Sequence, residues 1–122
     1  MSEAAQTSRL AVLMFTDVTG SVELKARLGT MTYARLLARH DELFKRLVAD
    51  YPTAEVLQDL GDGYFAAFGT VSDAVRLALR FQNAISREPW DPEPIHNRPR
   101  FFCRDPFGND IEFTTIVGDY RA

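Results

Sequence analysis

Two acidic residues in separate turns are the side chains of this sequence best suited to chemistry. Asp17 follows the apolar run of residues 10–16, and Asp62 lies in the turn Gly61-Asp62-Gly63. A strand is predicted to end before Asp17, and a strand that runs antiparallel beside it is predicted to begin after Asp62. We therefore expect the two carboxylates to lie close together. Such a pair can hold Mg²⁺ or Mn²⁺, which take oxygen ligands and often keep waters and a substrate phosphate as well.

The loop after Asp17 has the composition of an anion-binding turn. Val18-Thr19-Gly20-Ser21 leads into a helical pattern that starts near Ser21. Backbone N–H groups that precede a helix start can cradle a phosphate. The competing interpretation is that Asp17 and Asp62 are ordinary turn and capping residues, because aspartate is common at such positions.

Hydrophobic periodicity predicts the elements that position these residues. The expected strands cover 10–16, 54–60, 64–68, 100–104 and 111–117, and the expected helices cover 21–28, 31–50 and 72–86, the last capped by Ser72. This order predicts an α+β fold, a ferredoxin-like βαββαβ unit with an extra C-terminal β-hairpin strand. The right-handed crossover rule makes the first two strands parallel, with the third between them. We expect a mixed sheet with helices on one face, and a first strand that is covered on both faces.

A proline-rich stretch separates the two halves of the chain. Four of the six prolines fall within residues 87–99, which predicts a stiff, extended connection. We expect a disordered tail over 1–8, a main unit over 9–86, and a hairpin over 100–117 that completes the same domain. Trp90 is expected to pack over the sheet edge, His96 to lie in the connection, and His40 to be a solvated helix residue.

Composition limits the classes of partner. The 122 residues suit one domain, with 25% charged residues and a net charge of −3. Because there is no long basic run, nothing points to nucleic acid or an anionic membrane. The longest apolar run near the start is too short to span a bilayer. The single cysteine, Cys103, forms no internal disulfide, which fits a cytoplasmic location.

Two segments resemble the metal-binding half of class III adenylate and guanylate cyclases. They are LAVLMFTDVTGS at residues 10–21 and VLQDLGDGYFAAF at residues 56–68. The family has a Phe-Thr-Asp-x-x-Gly-Ser loop and a Lys-x-x-Gly-Asp-Gly hairpin. The resemblance, over about residues 9–86, implies that Asp17, Asp62 and the backbone carbonyl of Val18 bind the metal. It also implies that the phosphates of a nucleoside triphosphate lie over Thr19, Gly20 and Ser21.

The sequence departs from the cyclase pattern in two respects. Gln58 stands where the family has a purine-binding lysine; glutamine can hydrogen-bond a base edge but carries no charge. The Gly-x-His-x-Gly strand and the Asn-x-x-x-Arg pair have no counterpart. That arginine stabilises charge on the transferred phosphoryl group, so we assign no catalytic residue. The resemblance then implies metal and nucleotide binding, or a regulatory or dimerisation role, without efficient cyclase activity.

A homodimer is expected on two grounds. Cyclase sites form between two protomers, and an exposed edge strand needs cover.

The C-terminal segment resembles a different family. RFFCRDPFGNDIEF at residues 100–113 is similar to the closing hairpin of the glyoxalase/bleomycin-resistance (vicinal oxygen chelate) family. That resemblance makes Glu112 an alternative metal ligand and implies a metal enzyme or small-molecule-binding protein. The competing interpretation of Glu112 is an outward-facing strand residue. A further alternative is a structural hybrid without an active site.

Overall fold

The computed structural model describes residues 11–104 and 110–114. These residues contain five strands and three helices. In chain order they are β1 Ala11–Val18, α1 Ser21–Leu28, α2 Thr30–Val48, β2 Glu55–Asp59, β3 Gly63–Phe68, α3 Val71–Arg87, β4 Asn97–Arg104 and β5 Asp110–Thr114. The strands form one sheet in the order β2-β3-β1-β4-β5. No helix in these ranges is both long and apolar enough to cross a membrane.

The strand order confirms the predicted α+β, ferredoxin-like fold, with β3 between β1 and β2. The prediction of a mixed sheet is wrong, because all four pairs of neighbouring strands are antiparallel. Each helical crossover joins two parallel strands but leaves a gap one strand wide between them. A strand of opposite direction fills each gap: β3 lies between β1 and β2, and β1 lies between β3 and β4. The extra hairpin strand, β5, extends the sheet beyond β4.

The hydrophobic core lies on one face of the sheet, between the strands and helices α2 and α3. Alternate residues of β1 are buried there, Val12 and Met14 among them. The expectation that β1 is covered on both faces is wrong, because Leu13 and Phe15 are only half-buried. Phe15 is shielded by a neighbouring strand instead of a helix, since its ring stacks on Phe65 with centroids 4.3 Å apart. The apolar residues of β1 therefore alternate between the core and the open face of the sheet.

The third helix begins at Val71, with its N-cap two residues earlier than predicted. Thr70, and not Ser72, is its N-cap: the Thr70 hydroxyl accepts a hydrogen bond from the backbone N–H of Asp73 at 3.1 Å. Ser72 lies exposed in the first turn. Both residues suit a helix start, and only the cap geometry separates them.

Two ion pairs hold the connection between α3 and β4 against the helices. Arg27 binds Glu93 through two hydrogen bonds of 2.9 and 2.8 Å, and Arg39 binds Glu88 through two of 2.8 and 3.1 Å. Trp90 packs against both hydrophobic clusters of the core, which places it deeper than the sheet edge. Strand β4 then starts earlier than predicted and includes the last of the four prolines.

The prediction that His40 is solvated is wrong, because its side chain is fully buried. Its Nδ1 lies 3.0 Å from an Asp41 carboxylate oxygen, and its Nε2 lies 2.6 Å from Asn97 Nδ2. A carboxylate only accepts, so Nδ1 carries the proton and Nε2 accepts from Asn97. Burial lowers the pKa of His40, which keeps the ring neutral near pH 7. Helical spacing explains the burial, since Leu36 and Phe44 lie one turn away on the same stripe.

The hairpin between β2 and β3 approaches β1 more closely than a side chain at Gly63 would permit. Gly63 pairs with Asp17 across the ladder. A Cβ atom at Gly63 would lie 1.7 Å from the carbonyl oxygen of Thr16 and 2.9 Å from the Asp17 Cα. These are backbone atoms, so no change of rotamer relieves the overlap.

We therefore expect Gly63→Ala to lower the free energy of unfolding by about 2 kcal/mol or more, because the backbone of one strand must shift. Gly69→Ala is the matched control, since a Cβ atom there would lie 3.5 Å from a Thr53 side-chain atom, an ordinary contact. Its effect should stay below about 1 kcal/mol. Urea unfolding of both variants measures the difference, and equal costs would contradict the close approach.

Candidate functional site

The turn of the β2–β3 hairpin lies against the end of β1. Asp17 stands opposite Gly63 in the ladder, and the backbone N–H of Val18 donates to the carbonyl oxygen of Asp62 at 2.9 Å. The structure thus brings the backbones of Asp17 and Asp62 together at one end of the sheet, as the strand pairing predicted. They are 45 positions apart in the sequence, and the antiparallel pairing of β1 with β3 brings them together.

The Asp62 carboxylate faces the start of α1. The Ser21 hydroxyl donates to Asp62 Oδ2 at 2.8 Å. Tyr33, on α2, is buried beside this pair; burial raises the pKa of its phenol, and the negative charge of Asp62 raises it further. Ser21 is thus tied to the acidic pair by a side-chain contact that sequence reasoning did not foresee.

The Asp17 carboxylate faces the open side of the sheet and has a charged neighbour there. Arg98 stands opposite Asp17 in the β1–β4 ladder, and its Nη2 lies 3.8 Å from Asp17 Oδ2. Both side chains are about half exposed. Sequence reasoning missed Arg98, because only the register of β4 against β1 places it at the site.

The predicted phosphate cradle is only partly available. The N–H of Val18 is engaged by Asp62, and the N–H of Thr19 donates to the carbonyl oxygen of His96 at 2.9 Å. Two of the four predicted donors are therefore satisfied within the protein. The N–H groups of Ser21, Val22 and Glu23, in the first turn of α1, have no acceptor within the helix and remain the candidates for an anion. Gly20 turns the chain into the helix with φ of 62°.

The charge around the loop disfavours a bare anion. Glu23 lies in the first turn of α1, where it complements the positive end of the helix. A cavity of about 310 Å³ opens beside the loop, with lining residues that include Thr19, Gly20, Glu23, Arg27, Glu93 and His96. Because Arg27 is already paired with Glu93, a phosphate at this loop needs a further positive charge.

Gln58 lies on the sheet but away from the acidic pair. It stands opposite Phe65 in the β2–β3 ladder, and Phe65 stands opposite Phe15 of β1. With strands about 4.8 Å apart and a rise of about 3.3 Å per residue, the Cα atoms of Gln58 and Asp17 are separated by roughly 12 Å. Gln58 is exposed, so it is free to contact a ligand but is too distant to share a metal with Asp17.

The donor set at the sheet edge suits a hard cation. Asp17, Asp62 and the carbonyl of Val18 supply only oxygen atoms, which fits Mg²⁺ or Mn²⁺ with waters and phosphate oxygens completing the shell. Within the described ranges, no group of three or more His, Cys, Asp or Glu side chains is arranged to hold a metal. A cation here would therefore depend on backbone and ligand oxygens as well as on the two carboxylates.

The alternative metal ligand, Glu112, is not brought to this pair. It lies on β5 opposite Phe102, which stands opposite Leu13 of β1. Strand spacing and rise put its Cα roughly 16 Å from that of Asp17. Its side chain lies outside the described residues, as does the turn of the C-terminal hairpin.

Comparison with known sequences identifies relatives. Residues 3–89 match the model of the adenylate and guanylate cyclase catalytic domain. Receptor-type adenylate cyclase B of Leishmania donovani is 30% identical over 90 residues, which cover 74% of this chain and 7% of that protein. The chain thus spans less than a tenth of the length of this relative.

Comparison with solved structures finds the same fold. A bacterial light-regulated adenylyl cyclase superposes with a TM-score of 0.69 at 17% identity, covering 91% of this chain and 64% of that one. An adenylate cyclase of Trypanosoma brucei in its monomeric state gives 0.71 at 15% identity, covering 89% and 64%. An adenylate/guanylate cyclase/hydrolase from Silicibacter pomeroyi gives 0.64 at 28% identity, covering 86% and 59%.

These comparisons support the cyclase resemblance of the first two thirds of the chain and give no support to the glyoxalase resemblance of the C-terminal segment. The family typically uses divalent metal ions, which agrees with the oxygen donors at the sheet edge. The match of the family model over most of the chain, together with the common fold, shows that this protein belongs to the adenylate and guanylate cyclase catalytic domain family.

Proposed function

We propose that this chain binds a divalent cation, Mg²⁺ or Mn²⁺, together with the phosphates of a nucleoside triphosphate at the edge formed by Asp17 and Asp62. The hydrogen bond from Val18 N–H to the Asp62 carbonyl is the observation that carries this proposal. It holds the backbone of Asp62 against the end of β1, one residue past Asp17 and beside the start of α1, where unpaired N–H groups are available. A cation bound there supplies the positive charge that the loop lacks.

The residues of the chain have separate parts in this proposal. The carboxylates of Asp17 and Asp62 and the carbonyl of Val18 hold the cation. The start of α1, together with Thr19, Gly20 and Ser21, lies under the phosphates. Ser21 orients the Asp62 carboxylate through its 2.8 Å hydrogen bond. Gln58, which lies on the open side of the sheet, contacts the base.

The open face of the sheet supports a homodimer. Helices pack on the other face, while Leu13, Phe15 and Phe65 are only half-buried on this one. Exposed apolar side chains of this kind favour association, and a second copy of the chain is the partner that the cyclase resemblance implies.

Efficient synthesis of a cyclic nucleotide is not part of the proposal. Within these 122 residues, no Asn-x-x-x-Arg pair follows a Gly-x-His-x-Gly strand; Asn83 and Arg87 have that spacing but lie at the end of α3, ahead of β4. The loss of such an arginine costs roughly a thousandfold in rate or more. Binding of metal and nucleotide then suits a regulatory or dimerisation role, with a cytoplasmic location as the sequence predicts.

Thermal unfolding tests the binding proposal. With Mn²⁺ and a non-hydrolysable ATP or GTP analogue at 100-fold above the Kd, the free energy of unfolding should rise by about 2.7 kcal/mol. The double variant Asp17→Asn/Asp62→Asn should lose this rise. Asp59→Asn is the matched control, because it removes a carboxylate from the same hairpin. The Asp59 carboxylate accepts a hydrogen bond from the Gly61 N–H and is not a proposed metal ligand.

An absent rise in the wild-type protein, or an equal rise in the double variant, would contradict the proposal. The same samples, given ATP or GTP, should form no cyclic nucleotide above background, and clear formation would contradict the assignment of a non-catalytic role.

Sedimentation velocity tests the homodimer. The wild-type protein should sediment faster as its concentration rises, and Phe65→Glu should shift it towards the monomer, because a charge on the open face must be desolvated on association. Met31→Glu, on α2 and 87% exposed, is the control and should sediment like the wild type. Unchanged association of the Phe65 variant would place the interface elsewhere.

A further inference from the structure

Arg98 is a charged residue beside Asp17 to which the proposed function gives no part. Its Nη2 lies 3.8 Å from Asp17 Oδ2, and the side chains are 58% and 44% exposed. This separation is too long for a hydrogen bond, so the contact is an ion pair screened by water. Because Arg98 sits opposite Asp17 in the ladder, the position of its backbone is set while the end of its side chain can move.

A cation at Asp17 and the guanidinium of Arg98 compete for the same oxygens. In the observed arrangement Arg98 offsets the charge of Asp17, while Asp62 is held by the Ser21 hydroxyl. A divalent cation at the carboxylates repels the guanidinium and removes its partner. The displaced side chain then lies beside the loop where the phosphates are proposed to bind.

We propose that Arg98 is an exchangeable counter-ion: it pairs with Asp17 when no cation is bound, and it turns to the triphosphate once a divalent cation takes its place. This inference rests on the proposed function and adds the order of events at the same site. The planar guanidinium suits phosphate oxygens, which it can bind through two N–H groups at once.

The neighbouring arginines do not fit this part. Arg27 is held by two hydrogen bonds to Glu93. Arg100 stands opposite Phe15, two residues farther along β4 from the position opposite Asp17. Of these three, Arg98 alone is placed to exchange one negative partner for another.

The exchange predicts opposite effects on two binding constants. Arg98→Gln should bind Mn²⁺ alone about two- to fivefold more tightly, because a competing surface ion pair is removed. With saturating Mn²⁺, the same variant should bind a non-hydrolysable triphosphate analogue about tenfold more weakly, because a charge-assisted hydrogen bond is lost. Isothermal titration calorimetry of the full chain at fixed salt measures both constants.

Two further variants sharpen the test. Arg100→Gln makes the same charge change farther along the strand and should leave both constants within about twofold of wild type at physiological salt. Arg98→Lys keeps the charge but loses the planar fork, so it should retain wild-type Mn²⁺ affinity and lose part of the triphosphate affinity.

Changes of the same sign in both constants for Arg98→Gln, or effects equal to those of Arg100→Gln, would overturn the exchange while leaving the proposed function in place. Wild-type protein that binds neither Mn²⁺ nor the triphosphate analogue would overturn the proposed function and the exchange together.

Discussion

The close approach of the β2–β3 hairpin to β1 is the constraint on which the rest of this structure depends. At Gly63 the two backbones leave no room for a single methyl group, with 1.7 Å between a hypothetical Cβ and the Thr16 carbonyl oxygen. This contact lets β3 fill the gap between β1 and β2, and it presses the turn that carries Asp62 against Val18. The fold and the acidic pair therefore share one steric requirement.

The two faces of the sheet have separate tasks. Helices α2 and α3 bury one face, where Met14, Tyr64 and Phe81 form part of a continuous core; burying a side chain of this size stabilises the fold by about 1.5–3 kcal/mol. Within residues 11–104 and 110–114 no helix covers the opposite face, and Asp17, Arg98 and the residues proposed to bind a partner lie on it. One face of the strands thus contributes to stability, and the other is available for ligand or partner binding.

Sequence reasoning recovered the features that depend on local pattern. Apolar periodicity indicated the helices and strands, and the glycine turn around Asp62 indicated the hairpin. The crossover rule placed β3 beside β1, which brought Asp17 to Asp62. Such features depend only on residues close together in the chain and on the handedness of helical crossovers.

The features that sequence reasoning missed depend on partners that are distant in the chain. Arg98 reaches Asp17 only through the register of β4, and the buried ring of His40 finds its partner in Asn97, 57 residues away. The Thr19 amide was expected to face a phosphate, but the His96 carbonyl takes it. Proline and glycine around a short turn predict a hairpin in any family, which explains why the C-terminal motif foretold β4 and β5 but no activity.

The central claim is that Asp17 and Asp62 jointly hold a divalent cation. The most direct test is the anomalous difference map of crystals grown with Mn²⁺ and a non-hydrolysable triphosphate analogue. A manganese peak is expected at about 2.1–2.3 Å from a carboxylate oxygen of each residue, with phosphate oxygens completing the shell. Manganese at another site, or ordered triphosphate with no anomalous peak between the two carboxylates, would contradict it.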